Sequence, residues 1–268
     1  MRVLVTGASG QLGSALVHSA PPRTELRALS RGELNIGDAA AVRAAVADFQ
    51  PQLIINAAAY TAVDKAESEP ELADAINAQA PRHLAEAASA IPGCRLLHIS
   101  TDYVFNGRGS EPYKPADPTD PLSIYGRTKL AGEHAVLGVL AERAVVLRTA
   151  WVYAAQGKNF LLTMLRLMRE RGAVRVVADQ KGTPTAAASI ARALWRIAEL
   201  PRVHGRGARG ARVAGGAAGG RRTFARGTSQ GRVRPPAGGW PVPGRAARRR
   251  RRGPAFPTLR SRGSATPG

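Results

Sequence analysis

Short apolar segments alternate with helix-like segments throughout residues 1–200. "RVLVTG" is followed by "QLGSALVHSA", "PQLIINAAA" by "AINAQAPRHLAEAASA", and "AVVLRTAWVY" by "NFLLTMLRLMRERG". Continuous apolar strands that alternate with helices are typical of a parallel sheet covered by helices on both faces. The pattern therefore predicts an α/β fold with a doubly wound, Rossmann-type parallel sheet.

Residues 201–268 differ in composition from the rest of the chain. They contain 17 arginines and no lysine, aspartate or glutamate, and so carry most of the net charge of +20. The segment has neither a strand period nor a helix period, so we expect it to be disordered. Two interpretations stay open. One is a basic tail that binds nucleic acid or an anionic surface; the other is a truncated or frameshifted end, which the absence of lysine and acids favours.

The composition of the chain also excludes several classes of protein. Its single cysteine, Cys94, excludes an intrachain disulfide and suits a reducing compartment. The apolar stretch of "MRVLVTGASG" is too short for a signal peptide, and "LIINAAAYTAV" is about half as long as a membrane span. We therefore expect a cytoplasmic chain without a membrane partner.

A glycine-rich turn follows the first predicted strand. "TGASGQLG" places Gly7, Gly10 and Gly13 where the backbone can approach a pyrophosphate at a helix N-terminus. The alternative is a plain strand–turn–helix in which these glycines serve packing. After the second strand, "ALSRGEL" offers Ser30 and Arg31 without an acid at the strand end, which favours NADPH over NADH. Alternatively, Arg31 is a solvated loop charge.

A tyrosine and a lysine are spaced by four residues in "SIYGRTKLAGEHAV". Ser123 is the expected N-cap of a helix there, and the spacing puts Tyr125 and Lys129 on one helical face. The ammonium would then help the phenol to act as a general acid. "HISTDYVF" adds Thr101 at the end of the fourth strand, where ligands bind in such sheets. Because this spacing also occurs on ordinary helix surfaces, the interpretation depends on the neighbouring motifs.

Taken together, these motifs resemble the extended short-chain dehydrogenases/reductases. "NAAAYTAVDKAESEPELA", "ISTDYVFNG", "YGRTKLAGE", "RTAWVY", "KNFLLTMLRL" and "DQKGTPT" are similar to sequence blocks of one family among them, the dTDP-4-dehydrorhamnose reductases. The resemblance implies reduction of the C4 ketone of dTDP-4-dehydro-β-L-rhamnose (dTDP-6-deoxy-L-lyxo-4-hexulose) to dTDP-L-rhamnose. It further implies NADPH as the preferred cofactor, with NADH as an alternative, a dTDP-sugar as substrate, and a homodimer.

The resemblance also implies roles for individual residues. Tyr125 would protonate the carbonyl oxygen, Lys129 would assist it and bind the nicotinamide ribose, and Thr101 would complete the catalytic set. Thr101, Asp102 and Trp151 would contact the sugar. Besides Tyr125 and Lys129, the implied cofactor site comprises Gly7, Ser9, Gly10, Gln11, Leu12, Gly13, Ser30, Arg31, Asn35, Ile36, Ala57, Ala58 and Ala59.

The sequence departs from the family's pattern in two places. Asn35 stands in "ELNIGD" where relatives usually have an aspartate near the adenine. Residues 201–268 do not resemble the family's C-terminal region, which closes the nucleotide-sugar pocket. We therefore expect an NAD(P)-binding domain with part of the sugar-nucleotide site over residues 1–200, followed by an aberrant C-terminal part.

Other functions of the same fold stay open. One is a non-catalytic, NADP-binding regulatory subunit, which the intact Tyr125–Lys129 pair disfavours. Another is a nucleotide-sugar epimerase or dehydratase, although a dehydratase would want an Asp-Glu pair after Thr101, where "STDYV" has aspartate and then tyrosine. Some relatives hold Mg²⁺ at a dimer contact, but the sequence suggests no ligands, so no metal site is predicted.

Three local features have their own interpretations. Trp151 either contacts the substrate or belongs to the core. His98, in mid-strand beside leucines, is expected to be a core histidine. The charged run "VDKAESEPE" is either a solvated helix start or a structural or subunit contact, formed by Asp64, Lys65, Glu67 and Glu69.

Overall fold

The structure, a computed structural model, describes residues 1–177, 180, 182–200, 211–214 and 230–233. Its strands are β1 (Arg2–Thr6), β2 (Glu25–Leu29), β3 (Leu53–Asn56), β4 (Arg95–Thr101), β5 (Ala144–Thr149), β6 (Val152–Tyr153), β7 (Val174–Val177), β8 (Thr185–Ala186), β9 (Ala211–Ala214) and β10 (Gln230–Val233). Its α-helices are α1 (Gln11–His18), α2 (Ala39–Phe49), α3 (Val63–Ala66), α4 (Pro70–Asp74), α5 (Ala80–Ser89), α6 (Ile124–Leu140), α7 (Phe160–Arg171) and α8 (Ala187–Glu199).

Six of these strands form one parallel sheet. Their spatial order is β2-β1-β3-β4-β5-β9, and every neighbouring pair is parallel. The strand order reverses between β1 and β3, which in open α/β sheets is where a crevice forms beyond the carboxyl ends of the strands. The sheet therefore fixes the position at which a ligand site is expected.

Helices cover both faces of this sheet, as the sequence predicts. Alternate residues of β1 point to opposite faces, so Leu4 packs toward α2, α5 and α6, whereas Val3 and Val5 pack toward α1 and α8. Ile54 and Leu96 continue the first core on β3 and β4. The doubly wound α/β prediction is confirmed.

The strands outside the main sheet form two small pairs. β6 pairs with β8 in parallel, and β7 pairs with β10 in antiparallel orientation. The apolar run "VRVVAD" therefore forms a strand, β7, but this strand does not continue the parallel sheet, because an apolar run alone does not specify its partner. In the range 201–268 the structure describes only β9 and β10; the rest lies outside the described residues, and the disordered tail stays a prediction.

The single cysteine lies at the amino ends of the strands, opposite the carboxyl ends where a ligand site is expected. Cys94 precedes β4 and is fully buried, and burial raises the pKa of its thiol to about 11.

Among the described residues, no helix is both long enough and apolar enough to span a bilayer.

Candidate active site

A cleft of about 620 Å³ opens at the carboxyl ends of β1, β3 and β4. It lies at the reversal of strand order, where ligands bind in such sheets. Two of the residues predicted to form the site, Gly13 and Ser30, do not line it. Those that do are Gly7, Ser9, Gly10, Gln11, Leu12, Arg31, Asn35, Ile36, Ala57, Ala58, Ala59, Thr101, Asp102, Tyr125, Lys129 and Trp151.

The glycine turn after β1 is shaped by close backbone contacts. Gly7 has a φ of +74°, and a Cβ there would lie 2.7 Å from the backbone nitrogen of Ala58. Gly13 lies beneath the turn, where a Cβ would come within 2.1 Å of the Gly7 carbonyl oxygen. Gly10, which has no side chain, is the N-cap of α1. The turn therefore leaves a concave backbone cradle at a helix N-terminus, which fits a pyrophosphate.

The turn that follows β2 contains an acid, Glu33, that the sequence analysis missed. Both the backbone N–H and the hydroxyl of Ser30 donate to the Glu33 carboxylate, at 2.8 and 2.6 Å, and these bonds lower the pKa of Glu33. Ser30 is thus engaged away from the cleft, whereas Arg31 lines it. The signal was available four residues beyond the strand, since an acid there can fold back onto the strand end.

The N-terminus of α6 has two caps. The Ser123 hydroxyl accepts from the Gly126 N–H at 3.1 Å, as predicted for an N-cap. The Glu67 carboxylate accepts from the Ile124 N–H at 2.8 Å, where its negative charge is stabilised by the helix dipole. Glu69 accepts a hydrogen bond from the Tyr60 hydroxyl, which raises the pKa of Tyr60. Part of the charged run is therefore a structural contact.

Tyr125 and Lys129 lie on the buried side of α6 and line the cleft. Tyr125 is 8% exposed and packs edge-on against Tyr103, with ring centroids 5.2 Å apart. Lys129 is 1% exposed, and its ammonium donates to the Ile99 carbonyl at 2.7 Å. Burial lowers the pKa of Lys129 to about 8, against the opposing charge of Glu133. Both side chains are therefore positioned by the core.

Thr101 ends β4 at the same edge of the cleft. Its hydroxyl donates to the Asp102 carboxylate at 3.1 Å and accepts from the Tyr103 N–H at 3.2 Å, which caps a short 3₁₀ turn. Thr101 and Asp102 thus form one polar group facing the cleft. Contact of this group with a substrate stays a prediction.

A buried ion pair beneath this edge was not found from the sequence. Arg148 on β5 donates to both oxygens of Glu133 on α6, at 2.8 and 2.7 Å, and both side chains are almost fully buried. The Ser100 hydroxyl donates to the same carboxylate at 2.6 Å. The pair joins β4, β5 and α6 directly below the Thr101–Asp102 group.

Asn77 was also missed, and it holds the loop that follows β3. It lies in a π-helical turn, Ala75–Gln79, a feature frequent at functional sites. Its side chain accepts from the Tyr60 N–H at 2.9 Å and donates to the Tyr60 carbonyl at 3.0 Å. These bonds fix the loop that carries the three cleft-lining alanines.

Trp151 forms one wall of the cleft. It is 38% exposed, and its backbone is in the left-handed region, with a φ of 47°. A Cβ at Gly182 would lie 2.6 Å from its ring, so the indole occupies the space that a side chain there would need. Its exposure argues against the core interpretation.

The segment before α7 contributes residues that the sequence did not suggest. Gly157 and Lys158 line the cleft. The Asn159 side chain donates to the Gln11 side chain at 3.0 Å and accepts from the Leu162 N–H at 3.0 Å as the N-cap of α7. The start of α7 is thereby tied to the glycine turn, and Lys158 lines the same cleft as that turn.

Two predictions concern groups outside this set. His98 is fully buried on β4, as predicted for a core histidine. In the described part of the chain, no cluster of three or more His, Cys, Asp or Glu side chains is suited to hold a metal ion.

Sequence comparison places this cleft in a known family. The profile of the RmlD substrate binding domain matches residues 1–209. The chain belongs to this family. A dTDP-4-dehydrorhamnose reductase of Streptomyces griseus is 52% identical over 191 residues, which are 71% of this chain and 62% of that protein. A probable dTDP-4,6-dihydroxy-2-methyloxan-3-one 4-ketoreductase of Streptomyces antibioticus is 46% identical over 206 residues, covering 76% of this chain and 70% of that protein.

Solved structures of the RmlD family agree with this fold. A dTDP-4-dehydrorhamnose reductase from Bacillus anthracis, in complex with NADP, superposes with a TM-score of 0.75 and is 36% identical. The match covers 81% of this chain and 76% of that one. The chain spans about two thirds of the length of its curated RmlD relatives, 62% in the Streptomyces griseus case.

Proposed function

We propose that this protein reduces the C4 ketone of dTDP-4-dehydro-β-L-rhamnose to dTDP-L-rhamnose with NADPH, the last step of dTDP-rhamnose synthesis. One observation carries the proposal: Tyr125 and Lys129 lie buried on one face of α6, in the same cleft as the glycine turn and Thr101. The names of the relatives support the substrate. Homodimerisation stays a prediction that size-exclusion chromatography can test.

The residues present fit a nicotinamide dinucleotide. The backbone cradle at Gly7 and Gly10 would hold the pyrophosphate, since side chains are excluded there. Ala57 and its two alanine neighbours leave room for the cofactor, and Arg31 would bind a 2′-phosphate. When bound, NADPH supplies the hydride. NADPH is proposed over NADH because of Arg31, and the Bacillus anthracis relative holds NADP.

The side chains of this chain would perform the proton transfer. The Tyr125 hydroxyl would donate its proton to the carbonyl oxygen as negative charge develops there. The ammonium form of Lys129 would stabilise the resulting phenolate. The Thr101 hydroxyl would turn from Asp102 to donate to the same oxygen, and the Trp151 ring would pack on the sugar.

Replacing Tyr125 by phenylalanine tests the assignment. We expect the rate of substrate-dependent NADPH oxidation to fall by about 10³-fold, since a general acid contributes on that scale. NADPH affinity, measured by fluorescence titration, should change less than about twofold, because the ring remains. Tyr113→Phe is the control, since Tyr113 is not among the residues that line the cleft and its ring stacks on Phe105. A Tyr125→Phe variant with near-normal turnover would contradict the role.

A second candidate function differs only in the sugar. The Streptomyces antibioticus relative is named for a related dTDP-sugar ketone, and the contacts of Thr101 and Tyr125 with a C4 ketone would be the same. Turnover of both ketones by the full chain should be compared under identical conditions. NADPH binding without turnover of either would instead support the non-catalytic regulatory subunit.

A further inference from the structure

A line of buried polar side chains runs from β1 to Lys129. The Thr6 hydroxyl donates to Asn56 Oδ1 at 2.8 Å, and Asn56 Nδ2 lies 3.1 Å from His98 Nδ1. His98 Nε2 then lies 3.5 Å from Lys129 Nζ. Each of the four side chains is no more than 1% exposed. Because buried polar groups must be paired, the donors and acceptors along this line restrict one another.

The orientation of the Asn56 amide is fixed at its oxygen end. Oδ1 accepts from the Thr6 hydroxyl and from the backbone N–H of Ala58, the latter at 3.1 Å. A reversed amide would set its NH₂ against the Ala58 N–H, donor against donor. Nδ2 therefore faces His98, and it can only donate.

This orientation fixes the tautomer of His98. Its Nδ1 must accept from Asn56, so a neutral ring carries its proton on Nε2. The ring is neutral because complete burial lowers the pKa of His98 well below its usual range. The Nε2–H consequently points toward Lys129 Nζ.

The two protonation states of Lys129 interact differently with the Nε2–H donor of His98. An ammonium has only donors to offer Nε2–H, whereas an amine has a lone pair that accepts. Its bond to the Ile99 carbonyl is open to both forms. Among the described residues, the charged or titratable groups near Lys129 include Glu133 on the next turn of α6, which is paired with Arg148 of β5, and Tyr125 on the preceding turn. Asp102 lines the same cleft.

We infer that His98 is a positioning residue: held in its Nε2–H form by Asn56, it favours the uncharged amine of Lys129 in the cofactor-free cleft, so that dinucleotide binding takes up a proton. The negative charge of the bound dinucleotide favours the ammonium, and the proton comes from solvent. The burial that lowers the pKa of Lys129 to about 8 acts in the same direction. The predicted proton uptake rests on the proposed function, because it takes NADPH as the ligand. The predicted tautomer of His98 is independent of the proposed function.

The tautomer is tested first, on the cofactor-free full chain. Imidazole ¹⁵N NMR from pH 6 to 9 should show one histidine in the neutral Nε2–H form throughout. The His98→Leu variant assigns this signal by its loss. A signal for His98 that titrates near its ordinary pKa of about 6.5, or that belongs to the Nδ1–H tautomer, would overturn the inference without bearing on the reductase activity.

The effect on Lys129 is tested by NADPH affinity against pH. For the wild type, the NADPH Kd should rise about tenfold per pH unit above pH 8, as one-proton linkage requires. For His98→Leu the rise should begin about one pH unit higher, because the donor that favours the amine is gone. Leu96→Val, another buried β4 variant, should follow the wild type. Superimposable pH profiles of the NADPH Kd for His98→Leu and wild type would overturn the inference. A chain that does not bind NADPH would overturn the proposed function, while the NMR result on the His98 tautomer would stand.

Discussion

Helices α6 and α7 both begin at the cleft, yet they are held in different ways. The buried residues of α6 include two glycines, a threonine, a lysine and a glutamate. The sequence of α7, "FLLTMLRLMRER", carries large apolar side chains at seven of its twelve positions, yet none of its residues is buried among the described parts of the chain. The difference shows that apolar content alone does not identify the helix that positions a site. Close backbone contact and paired polar groups do so on α6, whereas α7 is fixed at its N-terminal end.

The largest effect should come from filling a glycine contact on α6. A Cβ at Gly132 would lie 2.1 Å from the Asn77 carbonyl oxygen, whereas one at Gly138 meets no described atom within 4 Å. Gly132→Ala should lower the free energy of unfolding by about 3 kcal/mol, and Gly138→Ala should raise it by about 0.5 kcal/mol. Urea denaturation of both variants measures this. Equal effects would show that α6 is not held by backbone contact.

The buried lysine should make stability depend on pH. With a pKa of about 8 when folded and 10.5 otherwise, Lys129 binds its proton more tightly in the unfolded chain, so the free energy of unfolding rises above pH 8. The slope is at most about 1.4 kcal/mol per pH unit. Above pH 9 the titration of Cys94 opposes this rise in the free energy of unfolding, because its thiol keeps its proton in the folded chain and loses it in the unfolded chain. Urea denaturation from pH 8 to 9 should show the free energy of unfolding rising with this slope for the wild type and not for Lys129→Met. The same pH dependence in both proteins would contradict the burial of the Lys129 amine.

The two helix caps should differ in strength. Ser123 is 4% exposed, whereas Asn159 is only partly buried. Ser123→Ala should therefore cost about 2 kcal/mol and Asn159→Ala about 1 kcal/mol, since losing a cap bond costs more where water cannot replace it. Thermal or urea unfolding gives both values. A larger loss for Asn159→Ala would mean that its cap bond and its bond to Gln11 together contribute more to the fold than the exposure of α7 indicates.

The smallest effect should come from an apolar side chain of α7. Phe160 is 65% exposed, so Phe160→Ala should change the free energy of unfolding by less than about 0.5 kcal/mol. Val136 on α6 is fully buried, and Val136→Ala should cost about 2 kcal/mol. Differential scanning calorimetry can compare the pair. A loss above 1 kcal/mol for Phe160→Ala would break the contrast between the helices.

Local signals were sufficient to predict much of the fold and of the candidate site. The glycine turn follows directly after β1, Ser123 caps α6 as expected, and Tyr125 and Lys129 share a face because four residues make about one helical turn. Each of these depends on residues close together in the sequence, where backbone geometry and side-chain chemistry fix the outcome.

Contacts between distant residues could not be predicted in this way. The bond from Asn159 to Gln11 joins the start of α7 to the glycine turn, and the Glu133–Arg148 pair joins a helix to a strand. Nothing local indicates that a glutamate in a helix will be buried, since most are solvated. Ser30 shows the converse: it is among the predicted cofactor contacts, but the Glu33 carboxylate already accepts a hydrogen bond from its hydroxyl.

The state of Cys94 has a practical consequence for spectroscopy. It is the chain's single cysteine, and its buried thiol, with a pKa raised to about 11, holds almost no thiolate at neutral pH. Since the thiolate is the nucleophile, maleimides and iodoacetamides find no ready target in the folded chain. A cysteine introduced at the rim of the cleft would therefore be the uniquely reactive position, and a single fluorophore or spin label there could report ligand entry without first removing a native thiol.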